Sequence, residues 1–371
     1  MDHAPLVHLF SGEQFWPCDI SEHLVHTTPH LNFTQLQPRK LHPNLTNLDN
    51  LNEWDRGRFV YLQSDDNVEE RPEWLGGKKN IPSVPNDDRG RRLAARRYGS
   101  TWEQGKVGFG DPDKVKRTES ESMDGKADSS KERNGPPLEG GRSDAPAFLV
   151  VVEKEHGVVD AFWFFFYSYN FGNKVFNVRF GNHIGDWEHT LVRFQHGKPK
   201  SVFFSEHYFG EAYSWDAVEK IGTRPVAYSA TGTHAMYGTA GTHTYILPLG
   251  LLHDVTDRGP LWDPLLNSHT FTYDLGSDDL RPSNITPDSP TAWFYFNGHW
   301  GDKIYPLSDP RQYEFAGQFH YVTGPLGPRA KNLGRRVICQ GEDCIVKDWL
   351  ENGPRRWDGV HRGEQAPNDV E

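Results

Sequence analysis

The run VVDAFWFFFYSYN, residues 158–170, constrains the rest of the chain more than any other stretch. A strand sends alternate side chains to opposite faces, and Phe162, Trp163, Phe164, Phe165 and Phe166 are apolar on both. Such a strand is stable only where both faces are covered, which predicts a central strand with packed layers on either side. The preceding AFLVVVEK, separated from it by Glu-His-Gly, reads as its hairpin partner. Short β-branched and aromatic runs punctuated by Gly, Pro, Asp and Asn continue toward residue 350. Aromatics make up 13% of the chain, with 12 Trp against 3 Met, and rigid rings of this kind suit sheets better than helix bundles. The expected fold class is therefore all-β, an antiparallel β-sandwich with long loops over residues 146–350. Only DPRQYEFAGQF and VKDWLEN offer a brief helical option.

The flanks read differently. Residues 1–103 are rich in Pro, Asn, His and charge, and their aromatics are isolated. An irregular N-terminal arm is expected, packed on the core by Phe15, Trp16, Tyr61 and Trp74. Residues 104–145 are dominated by charge, Ser and Gly and cannot bury enough to offset their ordering entropy, so they read as a disordered linker or insertion. Residues 351–371 form a polar tail. Arg89, Arg91, Arg92, Arg96 and Arg97 are either a solvated, acid-paired segment or a patch for an anionic partner. A formal net charge of -11 argues against nucleic acid as a general partner. No apolar run reaches the length of a transmembrane segment, and the start, MDHAPLVHLF, shows no signal peptide. Three cysteines make no disulfide framework; a Cys339–Cys344 bridge is open, but free thiols in a reducing compartment are the expectation.

The candidate site is GNHIGDWEHTLVRF, residues 181–194. Strand alternation puts Asp186, Glu188, Thr190, Val192 and Phe194 on one face and Trp187, His189, Leu191 and Arg193 on the other. Two carboxylates beside core-directed Val192 and Phe194 need a cation or strong donors, because burying unpaired charge is costly. His183, Asp186 and Glu188 form an oxygen-rich set with one imidazole, which favours Ca, Mg or Mn over Zn if a divalent metal binds. His234 and His243, each in a Gly-Thr-His sequence, are placed to bring a second imidazole. The competing reading is a strand end whose acids reach water or an arginine, with each histidine a hydrogen-bonded loop residue. Glu206, His207 and Glu211 are a second acid–imidazole cluster and the acid–base candidates should the chain be an enzyme. Asp254, Asp257 and Asp263 read as turn caps. No nucleophile elbow, H-E-x-x-H helix, P-loop or dinucleotide fingerprint is present.

GNHIGDWEHTLVRF, SEHYFGEAYSW, RPVAYSATGTHAMYGTAGTHTY, LHDVTDRGPLWDP and FNGHWGDKIYPLSDPRQ, in that order, resemble the vacuolar protein sorting-associated protein 62 family. LFSGEQFWPCDISEHLVHTTP is similar to that family's N-terminal arm. The resemblance implies a non-enzymatic factor in protein targeting to the vacuole, cytoplasmic or vacuole-associated, with a protein, glycan or lipid as ligand. A metal-assisted hydrolase or small-molecule-modifying enzyme is the rival reading, and a glycan- or lipid-binding module the third. GNHIGDWE also resembles the GHRHDWE motif of necrosis-inducing proteins, metal-dependent β-sandwich toxins that bind membrane glycolipids. That similarity implies metal roles for His183, Asp186 and Glu188, with His234 as a further ligand. Gly185 stands where that motif has its second His.

Overall fold

The strand Val158–Asn170 is the fourth of eight in the main sheet. Across the sheet run Asp279–Pro282, Ser268–Asp274, Ala147–Glu153, Val158–Asn170, His183–Gln195, Lys198–Glu206, Phe209–Ser214 and Val346–Lys347. The computed structural model describes residues 1–38, 41–83, 140–175, 177–207, 209–246, 252–341 and 344–350. The arginine-rich run 89–97, the expected linker up to residue 139 and the polar tail lie outside these residues.

The central strand is packed on both faces, as its sequence requires. On one face Phe162, Phe164 and Phe166 join Trp187 and Leu191 in a core closed by Ile20, Leu24, Val60 and Leu62 from the N-terminal segment and by Trp293, Phe296 and Trp300. On the other face Trp163, Phe165 and Tyr167 join Val192, Val202 and Phe204 in a second core, closed by Val7, Leu9, Ala227, Met236 and Trp262. Those closing residues come largely from a second sheet in which Leu6–His8 lies between Arg224–Ser229 and Leu261–Trp262. The molecule is thus a sandwich on one side of the main sheet and a layer of chain ends and short helices on the other. The hairpin joining Ala147–Glu153 to Val158–Asn170 turns at His156 and Gly157, both at positive φ, as a tight turn demands.

Several expectations need correction. The pairing is mostly antiparallel, but Leu6–His8 with Arg224–Ser229, Ala147–Glu153 with Ser268–Asp274, and Phe209–Ser214 with Val346–Lys347 are parallel. Each parallel partner is distant in sequence, so no hairpin turn dictates its direction. Both stretches with a helical option form strands. Glu314–Phe315 pairs with Gln318–Phe319 around a turn at Ala316 and Gly317, whose positive φ values end any helix, and Val346–Lys347 edges the main sheet. The N-terminal segment is more regular than its composition suggests. Besides Leu6–His8 it builds a three-stranded sheet from Thr27–Leu31, Thr34–Gln35 and Val60–Ser64. Such strands are too short to leave a periodic signal. Residues 141–145, placed in the linker by composition, are structured: Gly141 N–H donates to Leu261 (2.7 Å) and Ala145 is buried. Finally, Cys339 and Cys344, expected as free thiols, form a disulfide with their Cα atoms 5.3 Å apart, and Cys18 is a buried free thiol. The inference of a reducing compartment loses its basis.

Candidate functional site

The strand His183–Gln195 begins where two backbones meet almost without side chains. Gly185 has φ +68, and a Cβ there would stand 2.0 Å from the Trp300 carbonyl oxygen. Gly301 is its counterpart, with a Cβ position 1.9 Å from the Ile184 carbonyl oxygen. The GNHIGDWE and NGHWGDK stretches therefore dock glycine against backbone, and no ligating side chain fits at position 185. Trp187 points the other way, fully buried among Phe148, Phe166, Trp293 and Trp300. It anchors the strand.

Asp186 and Glu188 lie on the sandwich side with Val192, as the alternation predicts, and both are nearly buried (5% and 4% exposed). Asp186 Oδ2 accepts from His234 Nδ1 at 2.9 Å. The other ring nitrogen, Nε2, donates to the Phe15 carbonyl at 2.9 Å, and the ring lies flat on Tyr167 at 3.7 Å. Both nitrogens are within hydrogen-bond distance of an oxygen, so neither is turned toward an open coordination position. His234 is a clamp. It joins the N-terminal segment to the strand, reinforced by Glu13, whose carboxylate accepts from the Gly232, Gln14 and Phe15 N–H groups at 2.8 Å each. Three of the distinctive sequence stretches, SGEQFW, GNHIGDWE and SATGTH, meet at this imidazole.

Glu188 accepts from the Ser205 hydroxyl, and Ser205 Oγ in turn accepts the His189 N–H at 2.8 Å. Burial, with the charge of Asp186 beside it, pushes the Glu188 carboxyl well above the usual carboxylate range. His183 is half-buried. Its Nδ1 lies 2.7 Å from the Gly185 carbonyl, and burial lowers its pKa. Of the four expected metal ligands, then, Asp186 and His234 bind each other, Glu188 lies alongside, and His183 points back to its own strand. Asp186 and Glu188 each keep one uncommitted oxygen. Among the described residues, no three His, Cys, Asp or Glu side chains stand together as a metal site.

The second cluster adjoins the first through the next strands. His207 Nε2 donates to Asp254 Oδ2 at 2.7 Å. Burial works to lower the His207 pKa, but this bond and the Asp254 charge carry it above the usual value. Glu211 is held by Lys347 and the Tyr213 hydroxyl. Glu206 is different: its Oε1 is buried with no hydrogen-bond partner, and burial, with Glu211 nearby, raises its carboxyl well above the usual range.

Sequence reasoning missed Asp254. It is no turn cap but a buried strand residue accepting from four side chains: Asn173 (3.2 Å), Thr233 (2.8 Å), Tyr237 (2.8 Å) and His207. Burial opposes its charge, and these bonds hold its carboxyl below the usual range. The only available signal was its place just before the β-branched pair Val255 and Thr256, in the strand Leu252–Thr256 where a cap is not needed. Asp263 does cap a short 3₁₀ turn, and also binds Arg224. His243 stays apart, stacked on Tyr237 at 3.8 Å and bonded to Thr239 and Thr256.

The family model for vacuolar protein sorting-associated protein 62 matches residues 161–309, from the central strand to beyond Trp300. Two Saccharomyces cerevisiae proteins are similar over nearly the whole chain. TDA6, provisionally named a vacuolar protein sorting-associated protein, is 35% identical over 388 residues, covering 94% of this chain and 68% of the relative. Vacuolar protein sorting-associated protein 62 is 32% identical over 393 residues, covering 95% and 71%. Among solved structures, necrosis and ethylene inducing protein 2 from the agent of cocoa's witches broom disease aligns with a TM-score of 0.21 at 16% identity, over 28% of this chain and 52% of its own. The non-toxic HaNLP3 protein aligns with a TM-score of 0.21 at 11% identity, over 40% and 63%.

Proposed function

The chain belongs to the vacuolar protein sorting-associated protein 62 family, and from that premise we propose that it serves protein targeting to the vacuole as a non-enzymatic binding protein, its ligand received at the carboxylate-rich end of the main sheet. The observation that carries this reading is the imbalance of charge there. Asp186, Glu188, Glu206, Glu211 and Asp254 gather at one sheet end, and Glu188 and Glu206 have no cationic side chain bonded to them. A site with surplus buried carboxyl favours a positively charged ligand, because a cation there relieves repulsion that the fold leaves in place. The oxygen-rich donors make Ca, Mg or Mn the first ions to try and Zn the last.

The test is thermal melting of the purified chain with each of the four ions, together with its metal content. Stabilisation by one of them, lost in Glu188→Gln, supports a cation-dependent end. No shift with any ion and no metal in the preparation removes the cation and leaves the family assignment standing. A second reading, hydrolysis of a small molecule or sugar, draws on one observation: the half-buried Glu206 carboxyl, whose Oε1 is buried without a hydrogen-bond partner and whose raised pKa suits a general acid. Turnover of a glycoside or ester panel that Glu206→Gln abolishes would favour it over binding alone.

A further inference from the structure

The layer covering the opposite face of the main sheet ends in two tips that carry exposed aromatic rings. The first is the two-residue turn between Thr27–Leu31 and Thr34–Gln35, where Asn32 takes φ 56 and Phe33 is left 59% exposed. The second is the segment leading into Val60–Ser64, where Phe59 is 37% and Trp54 41% exposed. The tips are adjacent, since Asn32 N–H donates to the Phe59 carbonyl at 2.9 Å. Neither Phe33 nor Phe59 belongs to a core cluster, and Phe33 is more than half uncovered.

Cations accompany the rings. Lys303 Nζ lies 4.5 Å from the Phe33 ring and donates to Asn32 Oδ1 at 2.7 Å, and the Arg58 guanidinium lies 4.9 Å from the Phe59 ring. Arg56 is exposed on the same segment, as are Glu53 and Asp55. These side chains leave the tips slightly positive, on a chain whose net charge is -11. Exposed rings with long basic side chains beside them suit a lipid headgroup region, the rings supplying apolar burial and the cations meeting acidic lipid.

We propose that the paired tips, Phe33 and Phe59 with Lys303 and Arg58, are a docking surface for an anionic membrane. The apolar insertion is shallow, two rings deep, so the attachment is reversible and depends on both the rings and the charge. It involves none of the residues at the carboxylate-rich end and stands or falls separately from the function proposed for that end.

The experiment is co-sedimentation of the full chain with vesicles of phosphatidylcholine alone and of phosphatidylcholine with phosphatidylserine, at low and high salt. The expected result is capture by the acidic vesicles, weakened by salt, and weaker by about ten-fold or more in Phe33→Ser/Phe59→Ser. Lys303→Gln/Arg58→Gln is expected to reduce capture while leaving the rings in place. Thermal melting shows that each variant is folded. Absence of capture, equal capture by neutral vesicles, or undiminished capture of the Phe double variant overturns the proposal. So does concentration-dependent self-association that the Phe variant abolishes without any vesicle binding, since the tips would then serve a second copy of the chain.

Discussion

The strand His183–Gln195 buries charge near both of its ends, and the two ends treat it in opposite ways. Toward its finish, Arg193 faces the layer side of the sheet and grips Asp160 with two bonds, 2.7 and 2.8 Å. Its remaining donors reach the carbonyls of Arg336 (2.7 Å), Arg335 and Val337 (3.3 Å each). Lys154 binds the same aspartate at 2.5 Å and the Arg335 carbonyl at 2.6 Å. Arg335 itself lies between the Phe162 and Phe203 rings and donates to His189 at 3.1 Å. Burial lowers Lys154 to about 8 and Arg335 to about 9, but nearly every polar atom has its partner. At the strand's start, Asp186 binds His234 through one oxygen, whereas Glu188 is buried and the half-buried Glu206 has its Oε1 buried, with no cation bonded to either. A buried charge whose bonds are complete is architecture: it fixes the C-terminal segment 335–338 on the sheet. A buried charge left incomplete costs stability, and a fold that keeps one invites a ligand to complete it.

That contrast breaks most visibly at Arg193. Arg193→Met leaves Asp160 buried with Lys154 alone and strands three carbonyls. A loss of about 3–5 kcal/mol is expected by chemical denaturation. A loss under about 1 kcal/mol would mean that this cluster is no more architectural than the acidic end. The next effect is at the disulfide that follows the gripped segment. Cys339→Ser/Cys344→Ser opens a short loop, which by chain entropy costs about 2 kcal/mol. It should lower the melting temperature without altering any response to added cations, because the bridge serves the architectural end.

The smallest effect has the opposite sign. Because the folded state holds the Glu206 carboxyl above its unfolded value, its unfavourable contribution is absent below the unfolded pKa. It grows as pH rises toward the folded value. Glu206→Gln should therefore be more stable than the wild type at pH 7, by on the order of 1 kcal/mol, with the difference shrinking toward pH 4.5. Melting curves across that range measure it. A variant less stable at pH 7 would show Glu206 to be fully compensated, and the two ends would no longer differ.

Much of the scaffold was legible before any coordinates. The run Phe162–Phe166 demanded cover on both faces, and it has it. Alternation along residues 186–194 put Asp186, Glu188 and Val192 on one side and Trp187 and Leu191 on the other. Those inferences are local: they follow from the period of a strand and the cost of leaving rings or carboxylates unpaired. The site's composition was less legible. His234, expected as a metal ligand beside Asp186, hydrogen-bonds to that residue, but sequence alone could not show that the Phe15 carbonyl, 219 residues away, takes its second nitrogen. Asp254 looked like one turn aspartate among three, because its four donors come from three separate segments. Nothing in the sequence pointed to the pairing of Asp160 with Arg193, 33 residues apart.

The opening strand shows where the division falls. By itself the sequence determined the all-β class, the central strand, the faces of the acid pair and the family. Each of these is encoded by neighbours within a few residues or by the order of whole stretches. Only the tertiary structure decided that the N-terminal segment contributes strands, that three pairings are parallel, and which buried charges find partners. Partnership is settled by atoms that meet across tens to hundreds of residues, where a hydrogen bond made or missed decides whether a carboxylate holds the fold together or waits for a ligand.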